Sequence, residues 1–491
     1  MSAAAEALAE QARDLGLALR AEGRLAEALV ALQQAARLAP ARADIARTHR
    51  ETRHAHALSL LEGGRRAEGE ALLAALVAAH PGDEQAVRNL ARLHFAEGRF
   101  GEGAALLAGL LACRDDLSSA QLAELAGLLV AAGVAGPAEM AARRALAGDA
   151  ASADRWVTLG LALHQQDRLA EALAAYEQAL ARDGGHVAAR CDAAMVHLAR
   201  GELARGFAGF ERRRGDAPAL PSPASLAGRR VVLAGEQGHG DTLHFARYAT
   251  LVAARGAEVT LHVQPALVRL LAGVAGAAHC IASTRPAPEA DMTLPLASLP
   301  ALFATTLASI PAEVPYVAAD PAAVARWRAR LAGLRGMRVG VAWAGEPRRG
   351  LADRAMDARR SLPLAALAKL AAMPGVTLVS LQKGPGAAQR PPAGMVLHDW
   401  TAELDDFADT AALMAALDLV VTVDTSVVHL AGALGRPVWL LNRFDADWRW
   451  LRGRDDSPWY PTLRQFRQDA PGDWAGVVDR VAAALAAGEA R

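Results

Sequence analysis

The sequence predicts a chain with two parts, an α-helical repeat solenoid followed by an α/β region whose two halves each contain a parallel sheet. Three observations support this fold class. A self-similar helical motif recurs between residues 14 and 210, and prolines then interrupt the helical periodicity around Pro221. From Arg230 onward, short β-branched runs alternate with helical runs. Such alternation is typical of parallel sheets that are covered on both faces.

The repeat is clearest in two segments with the same pattern. Asp14–Pro40 reads DLGLALRAEGRLAEALVALQQAARLAP, and Thr158–Gly184 reads TLGLALHQQDRLAEALAAYEQALARDG, preceded by Trp156. Their offsets resemble those of the tetratricopeptide repeat, and that period of about 34 residues predicts about six units over residues 9–215. The alternative interpretation of the same residues is an ordinary alanine-rich helical bundle. A stacked array would form a superhelix with a concave groove for an extended peptide or a partner surface.

The remaining domain boundaries follow from proline content and strand pattern. Residues 216–228 contain three prolines that exclude a helix, so this stretch is predicted to be a linker. We expect a first α/β half at 229–325, a second at 336–470 and a terminal helix at 471–491. The predicted strands are VVLA, EVTLHV, MTLPL, RVGVAW, VTLVSL, LVVTV and PVWLL. Sites in such sheets lie at the carboxyl ends of the strands.

Composition argues against several functional classes. The 491 residues carry no formal net charge, which offers no global attraction to nucleic acid or anionic membranes. The three cysteines, Cys113, Cys191 and Cys280, are too far apart for a disulfide framework or a zinc site. No apolar run of about 18 residues is free of charge, which argues against a membrane span. The N-terminus lacks a signal-peptide pattern, so we expect a cytoplasmic protein.

The segment AGEQGHGDTLHFARY follows the first predicted strand and leads into a helix. Gly235, Gly238 and Gly240 permit a sharp turn and close approach of the backbone to a ligand. The free N–H groups at the start of a helix favour an anion. Asp241 lies where this helix is predicted to start, either as its N-cap or as part of an active site. No Gly-Lys-Ser/Thr sequence closes the segment, so it is not a Walker loop.

A second strand end carries Trp343, Ala344 and Gly345 and leads into a predicted loop rich in arginine. Guanidinium groups suit phosphate oxygens, although the loop is equally consistent with a solvated basic surface. The arginines are Arg348, Arg349, Arg354, Arg359 and Arg360.

Two later strand ends are also polar. Gln382 and Lys383 follow the run VTLVSL, and Lys383 is one of only two lysines in the chain. In VTVDTSVVHLAGALGRPVWLL, the polar residues Asp424, Thr425 and Ser426 end a buried strand, and His429 lies one turn into the next helix. A helix that starts there would direct its N–H groups at a phosphate.

The stretch from Asp424 to Pro437 resembles the Asp-[Ser/Thr]-Gly-x-x-His-x-Ala-x-Ala-x-x-x-Pro signature of the lipopolysaccharide heptosyltransferase family, glycosyltransferase family 9. The stretch from Gly240 to His244 resembles that family's Gly-Asp-hydrophobic-hydrophobic-His motif. Two positions depart from the family pattern, because Ser426 replaces its usual glycine and Arg360 replaces a lysine.

The resemblance implies a GT-B fold, with the acceptor on the first half and the nucleotide sugar on the second. It also implies inverting transfer without a metal or other cofactor, with Asp241 as the catalytic base. The implied acceptor-side loop comprises Gly238, His239, Gly240 and His244. The implied nucleotide-sugar site comprises Trp343, Gly345, Arg360, Gln382, Lys383, Asp424, Thr425, Ser426 and His429.

In overall plan the chain resembles bacterial proteins that fuse tetratricopeptide repeats to a GT-B domain, including protein O-glycosyltransferases of the type that modifies flagellin. The sequence therefore predicts transfer of a sugar to a hydroxyl on a protein that the repeat array recruits. Arrays of this kind often self-associate into homo-oligomers. Two alternatives stay open: a heptosyltransferase-like enzyme acting on an envelope glycan, and a non-catalytic repeat scaffold with a GT-B-like module. The Asp-x-Asp of FDADWRW, which binds metals in other folds, is interpreted as part of a loop.

Overall fold

The computed structural model describes residues 3–215, 217–346 and 348–489. It divides into two compact units, Met1–Ala150 and Ala151–Arg491. The first unit consists of helical hairpins, and the second contains two further hairpins followed by the α/β region. The predicted fold class is thereby confirmed. The division between the units falls inside the region 9–215 that the sequence groups as one array.

Each hairpin pairs one helix with the next along the chain. The first unit contains α1 (Ala3–Ala21), α2 (Leu25–Leu38), α3 (Ala43–Glu62), α4 (Arg66–Ala79), α5 (Glu84–Ala96), α6 (Phe100–Cys113), α7 (Ser119–Ala131) and α8 (Ala135–Gly148). The second unit begins with α9 (Ala153–Gln165), α10 (Leu169–Arg182), α11 (Val187–Ala199) and α12 (Leu203–Phe210).

The repeat motif determines both the core and the turns of the hairpins. Ala28, Leu32, Ala172 and Tyr176 lie at matching motif offsets, and all four are fully buried. Most of the turns contain a glycine with φ between 74° and 82°, at Gly23, Gly64, Gly98, Gly133 and Gly201. Glycine adopts this left-handed conformation without steric penalty. In the turn between α9 and α10, Asp167 takes that conformation instead, with φ of 58°.

The α/β region has two parallel sheets. The first consists of β1 (Arg230–Ala234), β2 (Glu258–Val263), β3 (Ala277–Ala282) and β4 (Met292–Pro295), in the order β3-β2-β1-β4. The second consists of β5 (Met337–Ala342), β6 (Val376–Ser380), β7 (Leu397–His398), β8 (Leu419–Val423), β9 (Val438–Asn442) and β10 (Leu463–Arg467), in the order β10-β9-β8-β5-β6-β7. The sequence did not predict β3, β7 and β10.

Helices connect these strands and cover the sheets. They are α13 (His239–Ala246), α14 (Ala249–Ala253), α15 (Val268–Leu271), α16 (Leu299–Leu302), α17 (Pro321–Leu331), α18 (Leu351–Arg360), α19 (Ala368–Ala371), α20 (Phe407–Ala415), α21 (Ser426–Ala433) and α22 (Trp474–Ala486). Helix α22 lies within the predicted terminal segment 471–491 and packs Val477 and Val481 into the core of the second sheet.

The predicted linker 216–228 begins at a residue outside the described part of the chain. Its described residues form one short 3-10 turn, Pro223–Leu226, with Leu226 buried. Among the described residues, no helix combines the length and the apolar character that crossing a membrane requires.

Candidate functional site

Residues that follow β1, β5, β6 and β8 line one cavity of about 930 Å³ in the second unit. Every site residue that the sequence singled out lines this cavity except His244 and Trp343. Met195 of α11 and Phe210 of α12 also line it. The cavity therefore brings both halves of the α/β region and the last helical hairpin together.

Asp241 is the third residue of α13, and Gly238 is the N-cap of that helix. The interpretation of Asp241 as the N-cap is therefore wrong. Its Oδ2 accepts the Gly238 N–H at 3.0 Å, while its Oδ1 accepts a hydrogen bond from Arg449 Nη2 at 2.6 Å. A carboxylate at this position reaches back to the first orphan N–H group and favours the positive end of the helix. The side chain remains 23% exposed, so it is accessible from the cavity that it lines.

Helix α13 of the first half meets helix α21 of the second half at Gly240. A Cβ atom at this position would lie 2.8 Å from His429 Cδ2 and 3.4 Å from Ser426 Cα. The separation of 2.8 Å is too short without displacement of the His429 ring, whereas 3.4 Å is ordinary van der Waals contact. Gly240 therefore allows the start of α13 to approach the start of α21 closely.

Beneath this contact lies a buried network of aromatic and imidazole groups. The Tyr460 hydroxyl lies 3.0 Å from His244 Nδ1 and 2.9 Å from His429 Nδ1. Burial lowers the pKa of both histidines well below the usual range, and Arg247 and Arg449 add to this at His244 and His429 respectively. Because a hydroxyl has one hydrogen, one neutral imidazole accepts it and the other donates its own N–H.

His244 is therefore not an acceptor-side loop residue. It lies on helix α13, is fully buried, and joins the two halves through Tyr460. Asp241 and His244 both lie on α13, but Asp241 lies near its start and lines the cavity, whereas His244 lies one turn further on and is buried against Tyr460 and Trp459.

Trp343 does not contact a ligand in the cavity either. Its side chain is 2% exposed and belongs to the hydrophobic core of the second sheet. Its backbone N–H donates to Gln382 Oε1 at 2.9 Å.

The Gln382 amide spans the gap between the carboxyl ends of β5 and β6. Its Oε1 also accepts the Ala344 N–H at 2.9 Å, and its Nε2 donates to the carbonyls of Ala344 and Lys383 at 3.0 and 2.7 Å. Lys383 Nζ donates to the carbonyls of Thr401 and Leu404 at 2.9 and 2.7 Å. Both residues line the cavity, and these hydrogen bonds hold in place the backbone segments that form its walls.

The motif after β8 folds as the sequence predicts. Thr425 is the N-cap of α21, with its hydroxyl accepting the Val427 N–H at 3.3 Å, and His429 lies in the first turn. Burial, together with the neighbouring Asp447, raises the pKa of the Asp424 carboxyl. Burial would also raise the pKa of Asp447, but Arg449 holds it below its usual value.

The arginine-rich segment that the sequence interpreted as a loop contains a helix. Arg354, Arg359 and Arg360 lie on α18, and Arg348 and Arg349 precede it. The Arg360 guanidinium donates to Asp357 Oδ1 at 2.9 Å and to the Asp424 carbonyl at 3.4 Å. Gly345 lies so close to this pair that a Cβ atom would overlap both side chains. Arg360 is thus fixed beside the motif after β8.

A second group of arginines surrounds Asp445. Arg443 Nε lies 3.5 Å from Asp445 Oδ1, and Arg359 Nη2 lies 3.3 Å from Asp445 Oδ2. The Nε and Nη1 atoms of both arginines are buried and have no hydrogen-bond partner among the described residues. Arg443 lines the cavity. Guanidinium groups suit phosphate oxygens, so Arg443 is suited to binding an anion in the cavity.

The segment FDADWRW forms a loop followed by the 3-10 turn Trp448–Trp450. Both of its carboxylates are engaged by arginine, Asp445 as described and Asp447 by Arg449 Nη1 at 2.9 Å. Within the described ranges, no group of three or more histidine, cysteine or acidic side chains is arranged to hold a metal ion. The metal-independent reaction stays a prediction.

The last hairpin forms part of the cavity wall through α11 and α12. Phe207 packs edge-on against Trp448 and Trp459, with ring centroids 5.4 and 6.4 Å apart. Asp167, in the turn between α9 and α10, forms an ion pair with Arg452. The sequence-based prediction of the site did not include Met195, Phe210, Arg443 and Arg449. Met195 and Phe210 lie in the repeat region, and Arg449 lies in FDADWRW, which the sequence interprets as a loop. The position of Arg443 directly after β9 was the one available signal.

Comparisons with known proteins match two segments of the chain to family models. Residues 404–441 match the family model described as glycosyltransferase family 9 (heptosyltransferase). Residues 153–186 match the tetratricopeptide repeat model. The chain combines a tetratricopeptide repeat with a glycosyltransferase family 9 region. The first match covers α20, β8 and α21, and the second covers α9 and α10.

Similar proteins include Protein FlbA of Caulobacter vibrioides, which is 30% identical over 334 residues. That match covers 60% of this chain and 54% of FlbA, so it spans about half of the relative's length. Escherichia coli ADP-heptose lps heptosyltransferase II is 14% identical over 52% of this chain and 98% of its own, with a TM-score of 0.37. A glycosyl transferase family 9 structure from Veillonella parvula is 11% identical over 53% of this chain and 97% of its own, with a TM-score of 0.39.

Proposed function

We propose that the second unit transfers a sugar from a nucleotide sugar to a hydroxyl group of a polypeptide. The observation that carries this proposal is the single cavity lined by Asp241, the start of α21 and the last hairpin. Inverting transfer needs a base beside the acceptor hydroxyl and positive or N–H groups beside the leaving diphosphate. The cavity offers both, and the match to glycosyltransferase family 9 supports the same chemistry.

In the proposed complex, the diphosphate of the donor lies at the start of α21, beside Arg360 and Arg443. The N–H groups of a helix start favour an anion, and Arg443 lines the same cavity and places a guanidinium group there. We propose that these groups, and not a metal ion, stabilise the negative charge that develops on the leaving group.

The reaction follows from this placement. The acceptor oxygen attacks the anomeric carbon on the face opposite the diphosphate, and the bond from that carbon to the phosphate oxygen breaks. The electron pair of the broken bond stays on the nucleoside diphosphate, and the proton of the acceptor hydroxyl passes to Asp241. The configuration at the anomeric carbon is therefore inverted.

A polypeptide acceptor is supported by the repeat residues in the cavity wall. Met195 and Phe210 place apolar surface from the last hairpin in the same cavity as Asp241. An extended chain in the groove of the hairpin would thus reach the reacting centre without leaving the repeat surface. Flagellin is the first acceptor to test, because the order of domains in this chain resembles that of the protein O-glycosyltransferases that modify flagellin.

The first test is binding of UDP, ADP, GDP, TDP and CMP, measured by thermal shift and calorimetry with and without magnesium. A ligand at one hundred times its Kd adds about 2.7 kcal/mol to stability. We expect one nucleotide to bind equally well without magnesium. If none binds, the non-catalytic scaffold becomes the better description.

The second test is Asp241→Asn, assayed with purified flagellin and a sugar nucleotide of the class that binds. We expect transfer to fall about 10²- to 10⁴-fold, because loss of a general base has effects of this size. Nucleotide affinity should be unchanged. Glu289→Gln, on the same half and 91% exposed, is the matched control. Transfer by Asp241→Asn at the wild-type rate would exclude Asp241 as the base.

A further inference from the structure

Arg449 connects the two halves of the α/β region at the cavity. Its Nη2 donates to Asp241 Oδ1 at 2.6 Å on the first half, and its Nη1 donates to Asp447 Oδ1 at 2.9 Å on the second. The residue is 8% exposed, and its guanidinium lies 4.4 Å from the centroid of the Trp448 ring. Its backbone N–H also bonds to Asp447 Oδ1 at 3.0 Å.

This geometry restricts what the guanidinium can do. Burial alone would lower the pKa of Arg449, but Asp447 and Asp241 raise it above its usual value. The cation is therefore permanent, and both terminal nitrogens are engaged by carboxylates. A buried charge pair with good geometry holds its partners in one orientation, and removal of one partner leaves an uncompensated charge.

For Asp241, the consequence is a fixed side chain. Arg449 engages Oδ1 from one side, and the Gly238 N–H engages Oδ2 from the other. A side chain held at both oxygens presents its remaining lone pairs in a constant direction. Asp241 held in this way does not have to change rotamer before it accepts the proton of the acceptor hydroxyl. Such positioning of a catalytic group raises the reaction rate.

We propose that Arg449 is the positioning residue of the transfer reaction, holding the Asp241 carboxylate toward the acceptor by linking it to Asp447 on the donor side. This inference rests on the proposed function. Arg449 acts through Asp241 and not on the diphosphate. Loss of Arg449 therefore lowers the rate of the bound complex and leaves donor binding intact.

The test uses the full chain and measures nucleoside diphosphate release with flagellin present. UDP-glucose, UDP-N-acetylglucosamine, GDP-mannose, TDP-rhamnose and ADP-glucose are offered one at a time, and the donor that wild type uses serves for all variants. We expect R449Q to lower kcat about 100-fold, the size of effect that a displaced catalytic group produces, with donor KM within about twofold of wild type. R449K, which keeps the charge, should recover part of the loss.

The decisive measurement combines R449Q with D241N. Effects of residues that act as one unit do not multiply, so D241N/R449Q should be as slow as D241N alone. If R449Q does not fold, D241N/R449K takes its place, because lysine retains the buried positive charge. Folding of each variant is checked by nucleotide binding.

Two results would overturn the assignment of Arg449 while leaving the transferase intact. One is a raised donor KM with unchanged kcat in R449Q, which would make Arg449 a diphosphate ligand. The other is a double variant slower than D241N by the full R449Q factor. A wild-type chain that uses none of the donors would instead overturn the proposed function, and the positioning role with it.

Discussion

The helical hairpins of the first unit differ from those of the second in what surrounds them. In the first unit, turns use glycine, and ion pairs such as Arg65–Glu68 have side chains 61% and 57% exposed. In the second unit, the hairpin of α11 and α12 keeps Gly201 in its turn. In the hairpin of α9 and α10, Asp167 replaces the turn glycine and pairs with Arg452, whose side chain is 14% exposed. Phe207 is fully buried against two tryptophans of the α/β region.

One repeat pattern thus serves two purposes. The motif residues form the buried core of the hairpins in both units. Residues outside the motif join the hairpins of the second unit to the α/β region. Asp167 is informative because aspartate tolerates the left-handed conformation less well than glycine. Its side chain offsets that penalty with an ion pair that glycine lacks.

The largest expected effect comes from truncating a buried phenylalanine in each unit. Phe207→Ala and Phe95→Ala should each reduce the free energy of unfolding by about 3–5 kcal/mol, since both side chains are at most 1% exposed. Scanning calorimetry with and without the bound nucleotide separates the units, because only the second should be stabilised by ligand. Phe207→Ala should lower the ligand-sensitive transition and Phe95→Ala the other. If Phe95→Ala lowered both equally, the two sets of hairpins would not be energetically distinct.

A smaller effect concerns Asp192 on α11. Burial raises the pKa of this carboxyl to about 6, above the value of 3.8 that it has when exposed. The folded state therefore retains a proton that the unfolded state releases, and stability falls as pH rises from about 4 to 6. A shift of this size corresponds to about 3 kcal/mol. Asp192→Asn should thus be more stable than wild type at pH 7 and equal to it near pH 4.

Urea unfolding at the two pH values checks this difference. Asp115→Asn, on an exposed carboxylate of the first unit, is the control and should change stability little at either pH. If Asp192→Asn were no more stable than wild type at pH 7, burial of the Asp192 carboxylate would not reduce the stability of the folded protein.

The smallest effect compares two ion pairs. Asp167→Asn keeps a residue that tolerates the left-handed turn but removes the charge that binds Arg452, so we expect a loss of about 1 kcal/mol. Arg65→Gln breaks an exposed pair in the first unit and should change stability by less than about 0.5 kcal/mol. Calorimetry on the separate transitions measures both values. If both variants lost the same stability, the ion pair of Asp167 with Arg452 would be no more stabilising than the exposed pair of Arg65 with Glu68.

The sequence was sufficient to predict the fold class, since periodicity and turn residues are local signals. The three missed strands have weaker patterns. Ala277–Ala282 is an edge strand with exposed residues, Leu397–His398 is two residues long, and Leu463–Arg467 reads LRQFR, with arginine and glutamine interrupting its apolar residues. The helix at Leu351–Arg360 was interpreted as a loop because its arginines conceal an apolar face limited mostly to Ala355.

The candidate site was predictable where it follows strands and not where it depends on distant contacts. Trp343 shows one limit, because its side chain faces the core although its neighbours line the cavity. Arg449 shows another. It lies 208 positions from Asp241, and nothing in the composition of its loop identifies its partner. Such pairings are set by how the two halves pack together.

The contact at Gly240 has a consequence for comparing this chain with its relatives. Because a Cβ atom at position 240 would lie 2.8 Å from His429 Cδ2, a homologue with any other residue there must move the His429 ring or shift one of the two helices. The residue at position 240 therefore indicates how closely α13 and α21 can approach each other, which the overall sequence identity does not. Sorting related sequences by that residue would separate chains able to adopt this close contact from chains that cannot.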